Sequence, residues 1–224
     1  MTENRISDSL LYQQPRVLHA GDSALTVELG DAVDVCVNEA VVALEQNISE
    51  AAIEGVLETI PTYRSLQVIY DPARIRCREL ITRLSGILPR SGQGVVTSRR
   101  WVIPVCYGGE HGMDLEFVAG VHNLTTNEVI RIHSEAEYRV YMIGFAPGFA
   151  YLGGLPEALH TPRRDNPRTL TPARSVSLGG IQAAISTMPV PSGWHMLGQT
   201  PVRTYDLSHR QPFLLQTGDR IRFE

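Results

Sequence analysis

The chain has 224 residues, of which 43% are hydrophobic and 20% are charged, an ordinary composition for a globular protein of one domain or two small ones. Its formal net charge of −4 argues against a general role in binding nucleic acid or membrane surfaces. All 20 residues of the Lys+Arg class are arginine, and the lack of lysine excludes a Walker A lysine, a Schiff-base lysine for pyridoxal phosphate and a biotinylated lysine.

The first half of the chain predicts a small α+β unit behind a loose N-terminal tail. Apolar residues recur at helical spacing over residues 34–48, with Asp34 placed to cap that helix. A second helix is predicted from Asp71-Pro72 to Ser85, because proline is tolerated in a first helical turn. Short strands are expected over residues 16–19, 24–29, 55–60 and 65–70. The resulting order, β-β-α-β-β-α, is related to that of ferredoxin-like folds.

A linker is predicted over residues 91–94, which places one domain over residues 1–95 and a second over residues 96–224. The composition changes at this point, since 10 of the 14 prolines and 13 of the 19 glycines follow residue 95. Eight arginines oppose 13 acidic residues before the boundary, whereas 12 arginines oppose 11 acidic residues after it. The charge balance therefore places any binding of anions in the second domain.

The second domain is predicted to be mainly β structure. A strand is expected over residues 101–105 and a helical region over residues 115–134, broken near Asn123. Thr125 and Glu128 form a capping box for the second part of that region. Beyond Tyr138, short strand-like runs alternate with turns, which is typical of a compact β-barrel or sandwich.

Cysteine and histidine spacing indicates neither a disulfide framework nor a metal centre. The three cysteines are widely spaced without a C-x-x-C pair, which favours reduced thiols in a cytoplasmic protein. The N-terminus lacks the apolar core of a signal peptide, and no apolar run is long enough to cross a membrane. His133 and Glu137 have i, i+4 spacing but lack a third spaced ligand, so a helix-end histidine beside surface acids is expected there.

The segment over residues 144–173 is the strongest candidate for function. It combines four glycines, three aromatic residues and three arginines, and glycine allows close approach of the backbone to a ligand or another chain. Arg163, Arg164 and Arg168 suit a carboxylate or phosphate, with Asp165 orienting one of them; solvated surface ion pairs are the alternative. His160 adjoins these arginines.

Two further loops contain candidate functional residues. Asp114 follows a glycine-rich turn and is expected to cap the next helix, with a small-ligand site at the helix N-terminus as the alternative. Trp194 lies in a predicted turn, where it either anchors a partner or plugs the end of the barrel. The residues alone indicate no reaction, since the chain has neither a phosphate-binding loop nor a G-x-S-x-G nucleophile motif.

Longer motifs resemble those of a known family. They are the runs Ile103-Pro-Val-Cys-Tyr-Gly-Gly109, Gly144-Phe-x-Pro-Gly-Phe-x-Tyr-Leu-Gly153, Pro162-Arg-Arg164 with Pro167-Arg168, Gly198-x-Thr-Pro201 and Ser65-Leu-x-Val-x-Tyr-Asp-Pro72. With these motifs the chain resembles the 5-oxoprolinase B-subunit family, also called the Kip-type kinase inhibitor or allophanate hydrolase subunit 1 family. The resemblance implies an α+β chain with a ferredoxin-like N-terminal domain and a cyclophilin-like β-barrel at the C-terminus.

The resemblance also implies partners and a reaction. A C-type and an A-type subunit would complete an assembly that opens 5-oxoproline to glutamate with ATP and Mg²⁺, neither of which this chain would bind alone. Two alternatives belong to the same family, namely an inhibitor that binds a histidine kinase and a carboxyltransferase half that works with a biotin carrier.

The residues that the resemblance assigns to the site all lie in the second domain. His160 and Gln182 would be catalytic, Gln182 by orienting the amide. Substrate or ATP would contact Arg163, Arg164, Arg168, Gly148 and Arg174, and a partner would contact Phe145, Phe149, Tyr151 and Trp194. The chain departs from the family pattern at Arg174, Ala183-Ala184 and Ser192, where it lacks a threonine hydroxyl and carries side chains in place of glycines.

Overall fold

The computed structural model describes residues 10–88 and 98–224. The chain separates between Thr97 and Ser98 into two compact units, each with its own sheet and hydrophobic core. The linker predicted at residues 91–94 and nearly all of the predicted tail lie outside the described residues. Both units combine helices with strands, so the predicted α+β class is confirmed.

The first unit is a four-stranded antiparallel sheet in the order β1-β2-β4-β3, with two helices packed on it. Apolar side chains alternate along the central strands, so that Leu25, Val27, Leu66 and Val68 are buried against the helices. The elements are β1 (Leu11–His19), β2 (Ala24–Gly30), α1 (Val35–Ala51), β3 (Val56–Pro61), β4 (Ser65–Tyr70) and α2 (Cys77–Ser85).

The predicted order of elements in this unit is confirmed, and so is the cap of its first helix. The Asp34 carboxylate accepts a hydrogen bond from the Cys36 backbone N–H at 2.8 Å. The prediction for the second helix was wrong at its start. Asp71 instead forms a turn, in which its Oδ1 accepts from the Ala73 N–H and its carbonyl accepts from Arg74 and Ile75, and α2 begins only at Cys77.

The second unit contains an eight-stranded sheet in the order β5-β14-β7-β8-β11-β10-β13-β6 and a separate β9-β12 pair. Among the described strands, only β5 and β14 pair in parallel. The strands are β5 (Arg100–Ile103), β6 (Cys106–Tyr107), β7 (Glu137–Ile143), β8 (Ala150–Gly153), β9 (Arg168–Thr171), β10 (Ser175–Gly179), β11 (Gln182–Ile185), β12 (Val190–Ser192), β13 (His195–Gln199) and β14 (Arg220–Phe223).

Two helices, α3 (Leu115–His122) and α4 (Thr126–Glu135), connect β6 to β7. The predicted break between them is confirmed, because Asn123 takes a left-handed conformation with φ of 54° and ends α3. The predicted capping box of Thr125 and Glu128 is also confirmed. No helix within the two described stretches is long and apolar enough to span a membrane.

His133 lies in the last turn of α4 beside the exposed Glu135 and Glu137, as expected, but its own side chain is fully buried. Its Nδ1 lies 2.8 Å from the Tyr107 hydroxyl, and its ring stacks on Phe223 with centroids 4.7 Å apart. Burial lowers the pKa of His133 to about 3, because the core cannot solvate the imidazolium ion. His133 is therefore a neutral core residue.

The burial of His133 predicts a specific loss of stability in acid. Since its folded pKa lies below the unfolded value, its contribution is complete above pH 6.5 and is lost as the pH falls toward 3. Between pH 7 and pH 5 the loss is about 2 kcal/mol. The variant His133→Phe should lack this part of the pH dependence in urea titrations, whereas a control at exposed His209, His209→Gln, should keep it. Equal pH slopes for His133→Phe and the wild type would contradict the assignment.

Candidate functional site

Asp114 is the centre of an ion cluster in the second unit. Its side chain is only 4% exposed, and Arg168 binds it with two hydrogen bonds, from Nη1 to Oδ2 at 2.7 Å and from Nη2 to Oδ1 at 2.6 Å. Arg164 Nη1 donates to Oδ1 at 3.0 Å, and the backbone N–H of Met196 donates to Oδ2 at 2.7 Å. One carboxylate thus joins the start of α3, the start of β9, the preceding loop and β13.

The Asp114 carboxyl remains ionised in this setting. Burial alone would raise its pKa, but the hydrogen bonds from Arg168 and Met196 and the charges of Arg168 and Arg164 outweigh burial, so the pKa lies below its ordinary value. The cluster therefore holds one negative and two positive charges at neutral pH.

Asp114 lies at the N-cap position of α3, as predicted, but its φ and ψ are −110° and 3° and its side chain makes no capping bond. The prediction that Asp165 orients an arginine was wrong. The carboxylate that orients Arg164 and Arg168 is that of Asp114, not that of the exposed Asp165. The guanidinium groups of Arg164 and Arg168 are already engaged, so a ligand would have to compete with Asp114 for them.

A cleft of about 400 Å³ borders this cluster. It lies between α3 and the segment that follows Leu159, and its lining comprises Phe117, Val121, Thr161, Pro162, Arg163, Arg164, Asp165, Asn166 and His195. The segment is held in place by backbone hydrogen bonds between Thr161 and Gly180 and from the Arg164 N–H to the Gly193 carbonyl. The cleft therefore has fixed walls.

His195 lines this cleft from the start of β13 and is only 2% exposed. Its Nε2 donates to the Pro162 carbonyl at 2.8 Å, and its ring stacks on Phe117 with centroids 5.0 Å apart. Its Nδ1 is buried without a hydrogen-bond partner in the described part of the chain. His195 and Phe117 were not predicted as site residues from the sequence, although Phe117 and Val121 have the i, i+4 spacing of one helix face.

The two residues predicted to be catalytic do not line the cleft. His160 Nε2 bonds to the Leu155 carbonyl of its own loop at 3.0 Å. Gln182 begins β11, paired with Gly179 across the tight turn from β10. These two side chains therefore do not share this cleft with Arg163 and Arg164.

Gly148 and Arg174, predicted to bind a ligand, have structural constraints of their own. Gly148 is buried with φ of 73°, and a Cβ there would lie 2.8 Å from the Cβ of Tyr205. Arg174 has φ of 62°, a conformation that glycine adopts without strain, and its exposed side chain reaches the Pro201 carbonyl at 3.5 Å. Both residues lie outside the lining of the cleft.

The predicted partner residues form an aromatic chain in which only one end is exposed. Phe145, Phe149, Tyr151 and Trp194 contact one another in that order with ring centroids 4.8 to 5.9 Å apart. Phe149 and Trp194 are buried, which corrects their assignment to an interface, whereas Phe145 is 65% exposed and Tyr151 is half-buried. Arg163 lies over the Trp194 ring at 5.3 Å from its centroid.

Ala184 and Ser192, two of the departures from the family pattern, lie beside this aromatic chain. Ala183 and Ala184 are buried in β11, and Ala184 lines a small cavity together with Ser192. The same cavity is lined by Thr171, whose Oγ1 has no partner within residues 10–88 and 98–224. No cluster of three or more potential metal-ligating His, Cys, Asp or Glu side chains occurs among the residues that the structure describes.

Comparisons with known proteins agree over most of the chain. The family model "Carboxyltransferase domain, subdomain C and D" matches residues 15–215. The chain is 38% identical to the 5-oxoprolinase B subunit of Bacillus subtilis, over 91% of this chain and 89% of that protein, and 43% identical to its counterpart of the same name in Haemophilus influenzae, over 76% and 79%. The crystal structure of TTHA0988 superposes with a TM-score of 0.81 at 36% identity over 90% of this chain, which spans 39% of that longer chain. The chain therefore belongs to the 5-oxoprolinase B-subunit family.

Proposed function

We propose that this chain is the B subunit of a hydrolase that opens 5-oxoproline to glutamate with ATP, together with a C-type and an A-type subunit. The observation that carries the proposal is the identity to proteins of that name over most of both chains. The two units would correspond to the ferredoxin-like and cyclophilin-like domains of the family, and the assembly would be cytoplasmic.

The residues present do not fit ATP with Mg²⁺ on this chain alone. Arg164 and Arg168 are bound by Asp114, the chain has no lysine, and the described residues contain no cluster of acids placed for a metal. We therefore assign nucleotide binding to the assembled complex.

Within the complex, Arg163 is the residue of this chain best placed to hold the substrate carboxylate. It lines the cleft, and its guanidinium has no carboxylate within ion-pair distance in the described residues. Arg164 and Arg168 would act as positioning residues, because they fix the loop through Asp114. A role for Gln182 in orienting the amide and for His160 in proton transfer stays a prediction.

Phe145 is proposed as an anchor for the C-type subunit. Its side chain is 65% exposed at a loop tip, and its φ of 69° is unusual for an aromatic residue. Exposed aromatic residues on a fixed loop often carry much of the affinity of an interface. Phe145→Ser should therefore weaken the complex about tenfold or more, measured by titration of one subunit against the other.

The test of the function is reconstitution. Co-expression with a C-type and an A-type subunit should give ATP-dependent release of glutamate from 5-oxoproline, and this release should require the present chain. A stable complex without release would indicate a different amide or lactam substrate. Failure to form any complex would overturn the proposal and favour the histidine kinase inhibitor, whose binding Phe145 would mediate.

The name of the matching family model favours a carboxyltransferase half as a second candidate. Because the chain has no lysine, the biotin would have to be carried by another protein. Association with a biotinylated protein, detected with labelled streptavidin after purification of the complex, would support this candidate, and its absence would remove it.

A further inference from the structure

A thiol and an imidazole meet at one end of the first unit. Cys77 Sγ lies 3.7 Å from His19 Nδ1, which is within hydrogen-bond distance for sulfur. The two residues are 58 positions apart in sequence, since His19 ends β1 and Cys77 begins α2. His19 is exposed and Cys77 is half-buried, so a small reagent can reach both. The pair has the arrangement of a nucleophile and its base.

Tyr70 of β4 lies beside the same thiol. Its side chain is buried, and its hydroxyl donates to the backbone carbonyl of Asp22 at 3.1 Å. Burial, followed by the hydrogen bond with Cys77, raises the pKa of Tyr70, so the phenol stays protonated. Tyr70 therefore adds no negative charge next to the thiol. The thiol, the imidazole and the phenol come from three different elements of one packed unit, which fixes their relative positions.

The charge next to Cys77 in the sequence is positive. Arg76 and Arg78 flank it; both are exposed, and neither has a carboxylate within ion-pair distance among the described residues. The two other arginines of this segment, Arg74 and Arg83, are instead paired with acidic residues. Cys77 also occupies the first turn of α2, where free backbone N–H groups favour a negative charge. These surroundings suit a thiolate and an incoming anion.

We propose that Cys77 is a redox-modified thiol that forms a mixed disulfide with small anionic disulfides and uses His19 as its base. His19 Nδ1 takes the thiol proton, and the thiolate sulfur attacks one sulfur of the small disulfide. The S–S bond of the reagent breaks as the new S–S bond to Cys77 forms, and the departing thiolate takes the proton from His19. Cys77 is oxidised and the departing half of the reagent is reduced to a thiol, so the step needs no other oxidant. The proposal does not depend on the proposed function.

The other two cysteines of the chain are matched controls. Cys106 is exposed, so it would react fastest if accessibility alone decided the rate. Cys36 is half-buried and lies in the first turn of α1, as Cys77 does in α2, but its neighbour is the carboxylate of the capping Asp34. Comparison with Cys36 therefore separates the effect of the histidine from that of a helix N-terminus.

The test treats the reduced full-length chain with glutathione disulfide, which carries a net negative charge. Peptide mass spectrometry follows all three cysteines in one sample, after digestion with chymotrypsin because trypsin would cleave on both sides of Cys77. Cys77 should be modified about tenfold faster than Cys36 or Cys106. Equal rates at Cys36 and Cys77, or the fastest reaction at Cys106, would overturn the proposal.

The variant His19→Gln tests the role of the base. An amide cannot take up the thiol proton, so this variant should slow the modification of Cys77 about tenfold. The rates at Cys36 and Cys106 should not change, and they report within the same sample that the fold is intact. An unchanged rate at Cys77 would show that His19 is not its base, and an equal loss at all three cysteines would show a general change of structure; either result would overturn the assignment.

Charge selectivity provides a second and independent readout. Cystamine is a small disulfide with two positive charges, and the rate at Cys77 relative to that at Cys106 should be higher with glutathione disulfide than with cystamine. The double variant Arg76→Gln/Arg78→Gln should lower this preference about threefold or more, as should an increase in salt concentration. A preference that neither the double variant nor salt changes would reject the selection of anionic disulfides by the two arginines.

Discussion

Replacing Asp114 by asparagine should destabilise the second unit by about 3 kcal/mol, because the substitution leaves two partly buried guanidinium groups without their counter-ion. An asparagine amide also brings two N–H donors to a place where both arginines and the Met196 N–H require an acceptor. Both tryptophans, Trp101 and Trp194, lie in this unit, so their fluorescence during urea unfolding reports on it selectively.

The pH dependence and a matched variant distinguish the ion cluster from a general effect of charge removal. Since the folded pKa of Asp114 is lowered, its contribution is complete above pH 4 and is lost only as the pH falls through the folded value. The gap between Asp114→Asn and wild type should therefore be constant from pH 8 to pH 5. Asp165→Asn, an exposed change in the same region, should alter stability by less than about 0.5 kcal/mol. Equal effects of the two substitutions would refute the central role of Asp114.

Most secondary structure was predictable because it depends on residues close together in sequence. Thr125 and Glu128 form their capping box within one helical turn, and Asn123 ends α3 by its own backbone conformation. The start of α2 was mispredicted because the local sequence there fits two structures. The Asp71-Pro72 pair suits a turn as well as a helix start, and here the Asp71 carboxylate accepts a hydrogen bond from the Ala73 N–H.

The candidate site was less predictable because its contacts join distant parts of the chain. Asp114 and Arg168 are 54 residues apart, and no local pattern indicates that the fold brings them together. The arginine-rich segment was nevertheless predicted to be functional, and it forms one wall of the cleft. The burial of Phe149 and Trp194 could not be predicted, because aromatic residues suit an interface and a core equally well.

The cluster and the cleft are physically connected. Asp114 immediately precedes α3, which supplies Phe117 and Val121, and it binds Arg164, which adjoins Arg163. The Asp114 N–H donates to the Met196 carbonyl, and the Met196 N–H donates to the Asp114 carboxylate. These two hydrogen bonds place Asp114 beside His195 as well. One buried carboxylate thus sets the relative positions of both walls of the cleft and of its buried histidine.

The substitution of Gly112 by alanine should have a comparably large effect, for a steric reason. Gly112 joins the short 3₁₀ turn at Gly109–His111 to α3, and a Cβ there would overlap the Leu197 carbonyl oxygen and the Gly108 nitrogen. These are backbone atoms that hydrogen-bond to each other at 3.0 Å, so neither can rotate away and β13 must shift from the loop. Overpacking of this kind should cost about 3 kcal/mol.

Gly120 provides the matched control for Gly112, because it lies within α3 and a Cβ there meets open space. Gly120→Ala should stabilise the unit by about 0.5 to 1 kcal/mol, since alanine restricts the unfolded chain and favours the helix. Tryptophan fluorescence in urea should separate the two variants in opposite directions from wild type. If Gly112→Ala unfolded at the wild-type urea concentration, the contact between the glycine turn and β13 would not be needed to fix α3, and the Asp114 cluster alone would have to position that wall of the cleft.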